Sequence, residues 1–240
     1  MSGHSKWSTI KRAKGANDAK RGLLFSKLAR GMTLAARKGG PSTDSNLALR
    51  LLVDKAKQSN MPKENIARVL RQAQDKLSGV GEIYDVLYEG FGPGGISILV
   101  EGATDNKNRT TQEIKNIFER GGGTMGAQGS VAFQFERVGQ IFVEKGDNTE
   151  ERELQLIDLE VEDVQEVDDG IEIYTKPEEL YKIGERVKGL GIEVKESELA
   201  YRPKSMMVLS EDDPNTNKAI KLLETLDESD DVQKVYTNLS

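Results

Sequence analysis

Residues 205–240 hold one helix-length apolar pattern, Ala219, Leu222, Leu223 and Leu226, followed by a single strand-like run, "DVQKVYTN". A lone helix and strand cannot bury their apolar faces on each other, so this pair must complete a sheet begun elsewhere in the chain. The sheet on offer starts with "YDVLYEGFG" and "GISILVEGA", two strands of a hairpin around "GPG". The helix "RTTQEIKNIFERGG", burying Ile114, Ile117 and Phe118, and a third strand, "SVAFQFERV", follow it. Between that strand and the C-terminal pair lie "QIFVEKG", "TEERELQLIDL", "VEDVQEVDD", "GIEIYTK", "PEELYKIGERVKGLG" and "IEVKESELAYRP". They spell β-α-β-β-α-β, the order of a ferredoxin-like unit. The expected layout is a middle α+β domain of residues 79–138 plus 204–240, interrupted by an inserted ferredoxin-like domain of residues 139–203.

Upstream the period is helical. From Asp18 to Lys38 the apolar residues Leu24, Phe25, Leu28, Ala29, Met32, Ala35 and Ala36 line one face, and Gly39-Gly40-Pro41 stops the helix. Asp44 or Ser45 is expected to cap a second helix, "SNLALRLLVDKAKQS". After the short turn "NMP", a third helix carries Ile66, Val69, Leu70, Ala73 and Leu77. Residues 1–78 are thus expected to form a three-helix domain with an extended basic lead-in. The fold class is α+β and multidomain: three N-terminal helices, then two ferredoxin-like α+β domains, one inserted in the other.

Charge divides the chain as sharply as period does. Residues 1–40 hold ten Lys or Arg against Asp18 alone, a net of +9, and residues 1–76 reach +12. The remainder carries −18, so an overall net of −6 hides two parts of opposite sign. Such asymmetry points to a polyanion as partner of the basic part. The candidate contacts are Lys6, Trp7, Lys11, Arg12, Lys14, Lys20, Arg21, Lys27, Arg30, Arg37 and Lys38, several of them on the side of the first long helix opposite its apolar stripe. Trp7, the only tryptophan, serves as a packing residue, as a stacking platform for a base, or as both, packing the lead-in while keeping an exposed edge. The helices joined by "NMP" read either as plain bundle packing or as a helix-turn-helix presenting Lys63, Arg68 and Arg71.

Other motifs exclude more than they assign. "GFGPGG" matches a dinucleotide fingerprint in spelling, but a strand follows it where the fingerprint needs a helix. "GGGTMGAQGS" lacks the Gly-Lys-Ser/Thr of a phosphate-binding loop and reads as an exposed, mobile loop able to reach into a large partner. "TDNKNRT" either caps the helix it precedes or displays Asn106, Asn108 and Arg109 to RNA or protein. With no cysteine and His4 as the only histidine, no metal site, cofactor or catalytic group is expected. No run approaches the ~20 apolar residues of a membrane span, and the basic N-terminus has no apolar run behind it. A cytoplasmic protein without membrane contact is expected.

Several long stretches carry a specific likeness. "GHSKWSTIKRAKGANDAKRG", "AARKGG", "NMPKENI", "YEGFGPGG", "TDNKNRT" and the ending "DVQKVYTN" resemble the YebC family from Gly3 to Asn238. "GGGTMGAQGS" departs from the family's more usual Gly-Gly-Asn-Leu-Gly at Thr124 and Met125. The resemblance implies three domains, one inserted in another, and a non-enzymatic role in gene expression. It implies DNA-binding transcriptional regulation or, as the alternative, a ribosome-associated translation factor relieving stalls on proline-rich stretches. DNA or ribosomal RNA would then be the partner, with the Thr124–Met125 and Asn106–Arg109 loops as further contact points.

Overall fold

The computed structural model describes residues 6–13, 18–75, 82–210 and 212–240. Its helices are α1 (Lys6–Ala13), α2 (Asp18–Gly39), α3 (Leu47–Gln58), α4 (Lys63–Asp75), α5 (Lys107–Arg120), α6 (Thr149–Ile157), α7 (Leu180–Gly189) and α8 (Pro214–Asp227). Its strands are β1 (Tyr84–Phe91), β2 (Ser97–Thr104), β3 (Thr124–Met125), β4 (Phe135–Val143), β5 (Asp163–Val167), β6 (Gly170–Thr175), β7 (Val194–Pro203) and β8 (Val232–Thr237).

Helices α2, α3 and α4 bury Leu28, Met32, Leu49, Val53, Ile66 and Val69 against one another, on the stripes their spacing marks out. The cap of α3 is Asn46, not Asp44 or Ser45. Its side-chain oxygen accepts the Leu49 N–H at 3.1 Å, and its amide donates to Ala35 O and Gly40 O, both at 2.8 Å. Asn46 therefore ties the end of α2 to the start of α3 as well as satisfying an orphan donor.

The C-terminal strand does complete the middle sheet. β8 pairs antiparallel with β2, Ile98 opposite Thr237 and Val100 opposite Val235, in the order β3-β1-β2-β8. Ile98, Val100 and Val235 face Ile114, Phe118, Leu222 and Leu226 of α5 and α8. The second sheet has the order β5-β6-β4-β7, all neighbours antiparallel, with α6 and α7 over Ile141, Ile171 and Ile173. That is the ferredoxin-like arrangement.

Two expectations are corrected. "SVAFQFERV" is not a third strand of the middle sheet. Ala132–Gln134 form a single 3-10 turn, and Phe135 begins β4, which runs without a break into "QIFV" in the inserted sheet. The segment "GGGTMGAQGS" is not a free loop either. Its Thr124 and Met125 form β3 against Phe91 and Gly90, and the Gly126 N–H donates to Glu89 O at 2.7 Å. The Glu89 carboxylate, 2% exposed, accepts the backbone N–H groups of Gly129 (2.7 Å), Val131 and Ala132 (both 2.8 Å).

Burial alone would raise the Glu89 carboxyl, but these three donors hold it below the usual glutamate range. Its stabilising contribution is complete above that range and is lost as pH falls through the lowered folded value. Glu89→Gln presents an amide N–H to at least one of these donors. It should cost about 1–3 kcal/mol and flatten the acid limb of stability against pH in chemical denaturation. An unchanged acid limb would show that Glu89 does not hold this segment.

Candidate nucleic-acid interface

Over its described residues, Lys6–Ala13, the lead-in is helical and not extended, and this helix packs outside the core of the three-helix bundle. Trp7, 4% exposed, packs with Ile10 against the core of the middle sheet. Its indole N–H donates to Val235 O of β8 at 3.1 Å. Of the roles open to Trp7 this is packing; a ring so covered offers no face for a base. On the same helix Arg12 reaches the inserted domain. Its Nε and Nη2 donate to the two oxygens of Asp169 at 2.7 and 2.9 Å, and its Nη1 to buried Glu172 at 2.8 Å. The guanidinium lies 4.2 Å from the centre of the Phe142 ring. Burial works against the Arg12 charge, yet Asp169 and Glu172 raise its pKa above the ordinary arginine value.

The cations of α2 are similarly occupied. Lys27, 8% exposed, donates to Asp227 O, and burial lowers the pKa of its ammonium. Arg30 donates to Asp230 O at 3.0 Å and pairs with the Asp231 carboxylate. Arg37 reaches Ile83 O at 3.4 Å, and Lys38 pairs with Asp85 of β1. Lys11 of α1 pairs with Asp227 at 3.1 Å. Much of the stripe expected to face a polyanion thus faces the chain itself: Lys11, Lys27 and Arg30 meet the α8–β8 turn, Lys38 meets Asp85, and Arg37 meets a backbone carbonyl. Arg21, at the exposed start of α2, lies 5.8 Å from the centre of the Phe25 ring and has no carboxylate partner among the described residues. Lys14 lies outside the described residues, as do the side chains of Lys6 and Lys20.

Two nodes, one buried and one half-buried, close this interface. Asp231, 3% exposed, accepts Thr104 Oγ1 (3.1 Å), Thr110 Oγ1 (2.6 Å) and Arg109 Nη2 (2.8 Å) besides Arg30. Burial would raise its carboxyl, but these donors hold it below the aspartate range. In the second node Glu198 of β7 accepts Lys55 of α3 at 2.7 Å and Lys234 of β8 at 3.2 Å, so one carboxylate joins all three domains. Burial would raise Glu198, and the two ammonium groups hold it well below the glutamate range.

"TDNKNRT" is accounted for by the same contacts. Asn106 caps α5 by accepting the Arg109 N–H at 3.1 Å, and Arg109 also bonds Asp105 at 2.8 Å. Asn108 is exposed, with no hydrogen-bond partner among the described residues. Thr124 is exposed, while Met125 packs on the middle core. Sequence reasoning missed the acids Asp85, Asp169, Glu172, Asp227 and Asp231. The run "LDESDDVQ" was the visible signal for Asp227 and Asp231.

What remains outward-facing is α4. It rests on α2 through Ile66, Val69 and Ala73 and turns Lys63, Glu64, Ala67, Arg68 and Arg71 to solvent. Among the described residues, no carboxylate lies in ion-pair range of Lys63, Arg68 or Arg71. The described residues hold no cluster of metal-ligating side chains, and none of their helices is long and apolar enough to cross a membrane.

The family model of the TACO1/YebC N-terminal domain matches residues 5–76, and that of the TACO1/YebC second and third domains matches residues 83–239. The chain belongs to the TACO1/YebC family. It is 45% identical over 241 residues to a "probable transcriptional regulatory protein" of Desulfosudis oleivorans, covering 100% of this chain and 97% of the relative. A protein of the same description in Dehalococcoides mccartyi is 43% identical over 239 residues, covering 99% and 94%. The solved structure of a conserved hypothetical protein from Aquifex aeolicus is similar throughout. Its TM-score is 0.86 at 42% identity, over 93% of this chain and 91% of that one. The motifs that suggested the family span the same range as the matches.

Proposed function

We propose that this TACO1/YebC protein regulates gene expression by binding nucleic acid through its N-terminal helical unit, without catalysing a reaction. The observation that carries the reading is a surplus of cations. Residues 1–76 carry +12, and internal pairing leaves Arg21, Lys63, Arg68 and Arg71 with no carboxylate partner among the described residues. Exposed, unpaired cations on a unit of this charge suit a phosphate backbone. The relatives' names favour DNA as the target. The −18 of the remaining chain favours the second reading, a ribosomal RNA site. It would repel a long duplex but tolerate a crevice lined by basic ribosomal proteins.

Binding to a labelled DNA duplex and co-sedimentation with ribosomes, each at about 50 and about 200 mM salt, test the proposal. Affinity for at least one should fall steeply with salt, as counterion release requires. Salt-independent binding, or none to either, would contradict it. Preference for the ribosome in the presence of competing duplex would select the second reading.

A further inference from the structure

We infer that the phosphate-contacting surface is the outer face of α4, made by Arg68 and Arg71 with Lys63 at its start, and that the internally paired cations of α1 and α2, Lys11, Arg12, Lys27, Arg30 and Lys38, take no part. This rests on the proposed nucleic-acid function and locates it. At 100° per residue, Arg71 and Arg68 lie about 60° apart on the helix surface. Both project from the side opposite Ile66, Val69 and Ala73. Ala67 stands beside them, small enough to let a phosphate backbone come close; the one described acid on this face is Glu64.

Position strengthens the assignment. α4 rests on α2, and α2 and α3 make the contacts to the acidic domains, through Arg30, Lys38 and Lys55. A duplex or RNA hairpin laid on α4 therefore meets free cations on the side of the bundle away from the −18 body. The internally paired cations of α1 and α2 offer a phosphate no comparable gain. Lys11, Arg12, Arg30 and Lys38 would exchange a neighbouring carboxylate for a phosphate, and freeing Arg12 or Lys27 would also expose groups now buried. Backbone contacts of this kind fix position without reading sequence.

The test compares full-length variants with the parent protein on a labelled DNA duplex and a labelled RNA hairpin, across about 50–200 mM salt. Lys63→Gln/Arg68→Gln/Arg71→Gln should weaken binding on the order of tenfold and flatten the duplex salt slope by about 0.9 for each phosphate no longer neutralised. Lys11→Gln/Lys38→Gln, which removes two exposed and already paired cations, should leave affinity within about twofold. Arg68→Lys/Arg71→Lys keeps the charge and should recover most of the binding. The probe bound more tightly by the parent tells DNA from RNA. If the parent binds but the triple variant keeps its affinity and slope, the α4 assignment is overturned and the nucleic-acid function stands. If the parent binds neither probe, both fall.

Discussion

Trp7→Ala should destabilise the middle sheet by about 3–5 kcal/mol, the usual cost of truncating a buried aromatic ring. The loss has two sources. The ring leaves a cavity where it now packs on the core beside β8, and Val235 O loses the indole N–H that satisfies it. Amide hydrogen exchange is the suitable measurement, because a chain with several domains need not unfold in one step. Protection should fall in α8 and β8 and persist in α3 and α4, whose core is separate. Trp7→Phe, which keeps most of the packing and loses the hydrogen bond, should cost about 1–3 kcal/mol. Unchanged protection in β8 would show that α1 is a loose lead-in.

Arg12→Met should cost about 3–5 kcal/mol, because it leaves Glu172 buried with a single donor, the Tyr174 hydroxyl. The effect should appear as faster exchange in β6 and the turn at Asp169. Pairing that substitution with Glu172→Gln should recover part of the loss, since the uncompensated buried charge is then gone. The acid dependence gives a second readout. Burial would raise the Asp169 carboxyl, and Arg12 holds it below the usual aspartate range. The stability this supplies is complete above that range and disappears as pH falls through the folded value. In Arg12→Met that share of the acid dependence should vanish.

The fold was legible where local pattern and topology agree. The apolar spacing of Ala219, Leu222, Leu223 and Leu226 demanded a sheet, and only the Tyr84–Thr104 hairpin offered one. The β-α-β-β-α-β order of the inserted unit could be read strand by strand. The short elements were not legible. α1 carries only Trp7 and Ile10 as apolar anchors, too few for a helical stripe, so its helix depends on docking. "SVAFQFERV" has strand composition throughout, but Val131 and Phe135 pack with Leu99 between the two sheets and force a turn there.

The interface was half legible. The charge split was plain, but an excess of one sign beside an excess of the other has two explanations: an outside polyanion, or the chain's own acids. Lys27 and Asp227 are 200 residues apart, and no local pattern links them. The folded chain shows that much of the basic stripe is counterface to the middle and inserted domains. The cations of α4, which the sequence set beside bundle packing, are left without a carboxylate partner among the described residues, as is Arg21.

If α1 is docked and its described cations, Lys11 and Arg12, are paired inside the molecule, the emission of Trp7 will report it. Because this is the only tryptophan, the signal needs no assignment. With the ring covered and its N–H bonded to Val235 O, emission should be blue-shifted and resistant to a soluble quencher. It should also stay so when duplex DNA or RNA is added to saturation. Solvent-exposed emission in the free protein would show that α1 is not docked, and a red shift or stacking quench on binding would place it on the nucleic acid; either result overturns the internal docking of α1.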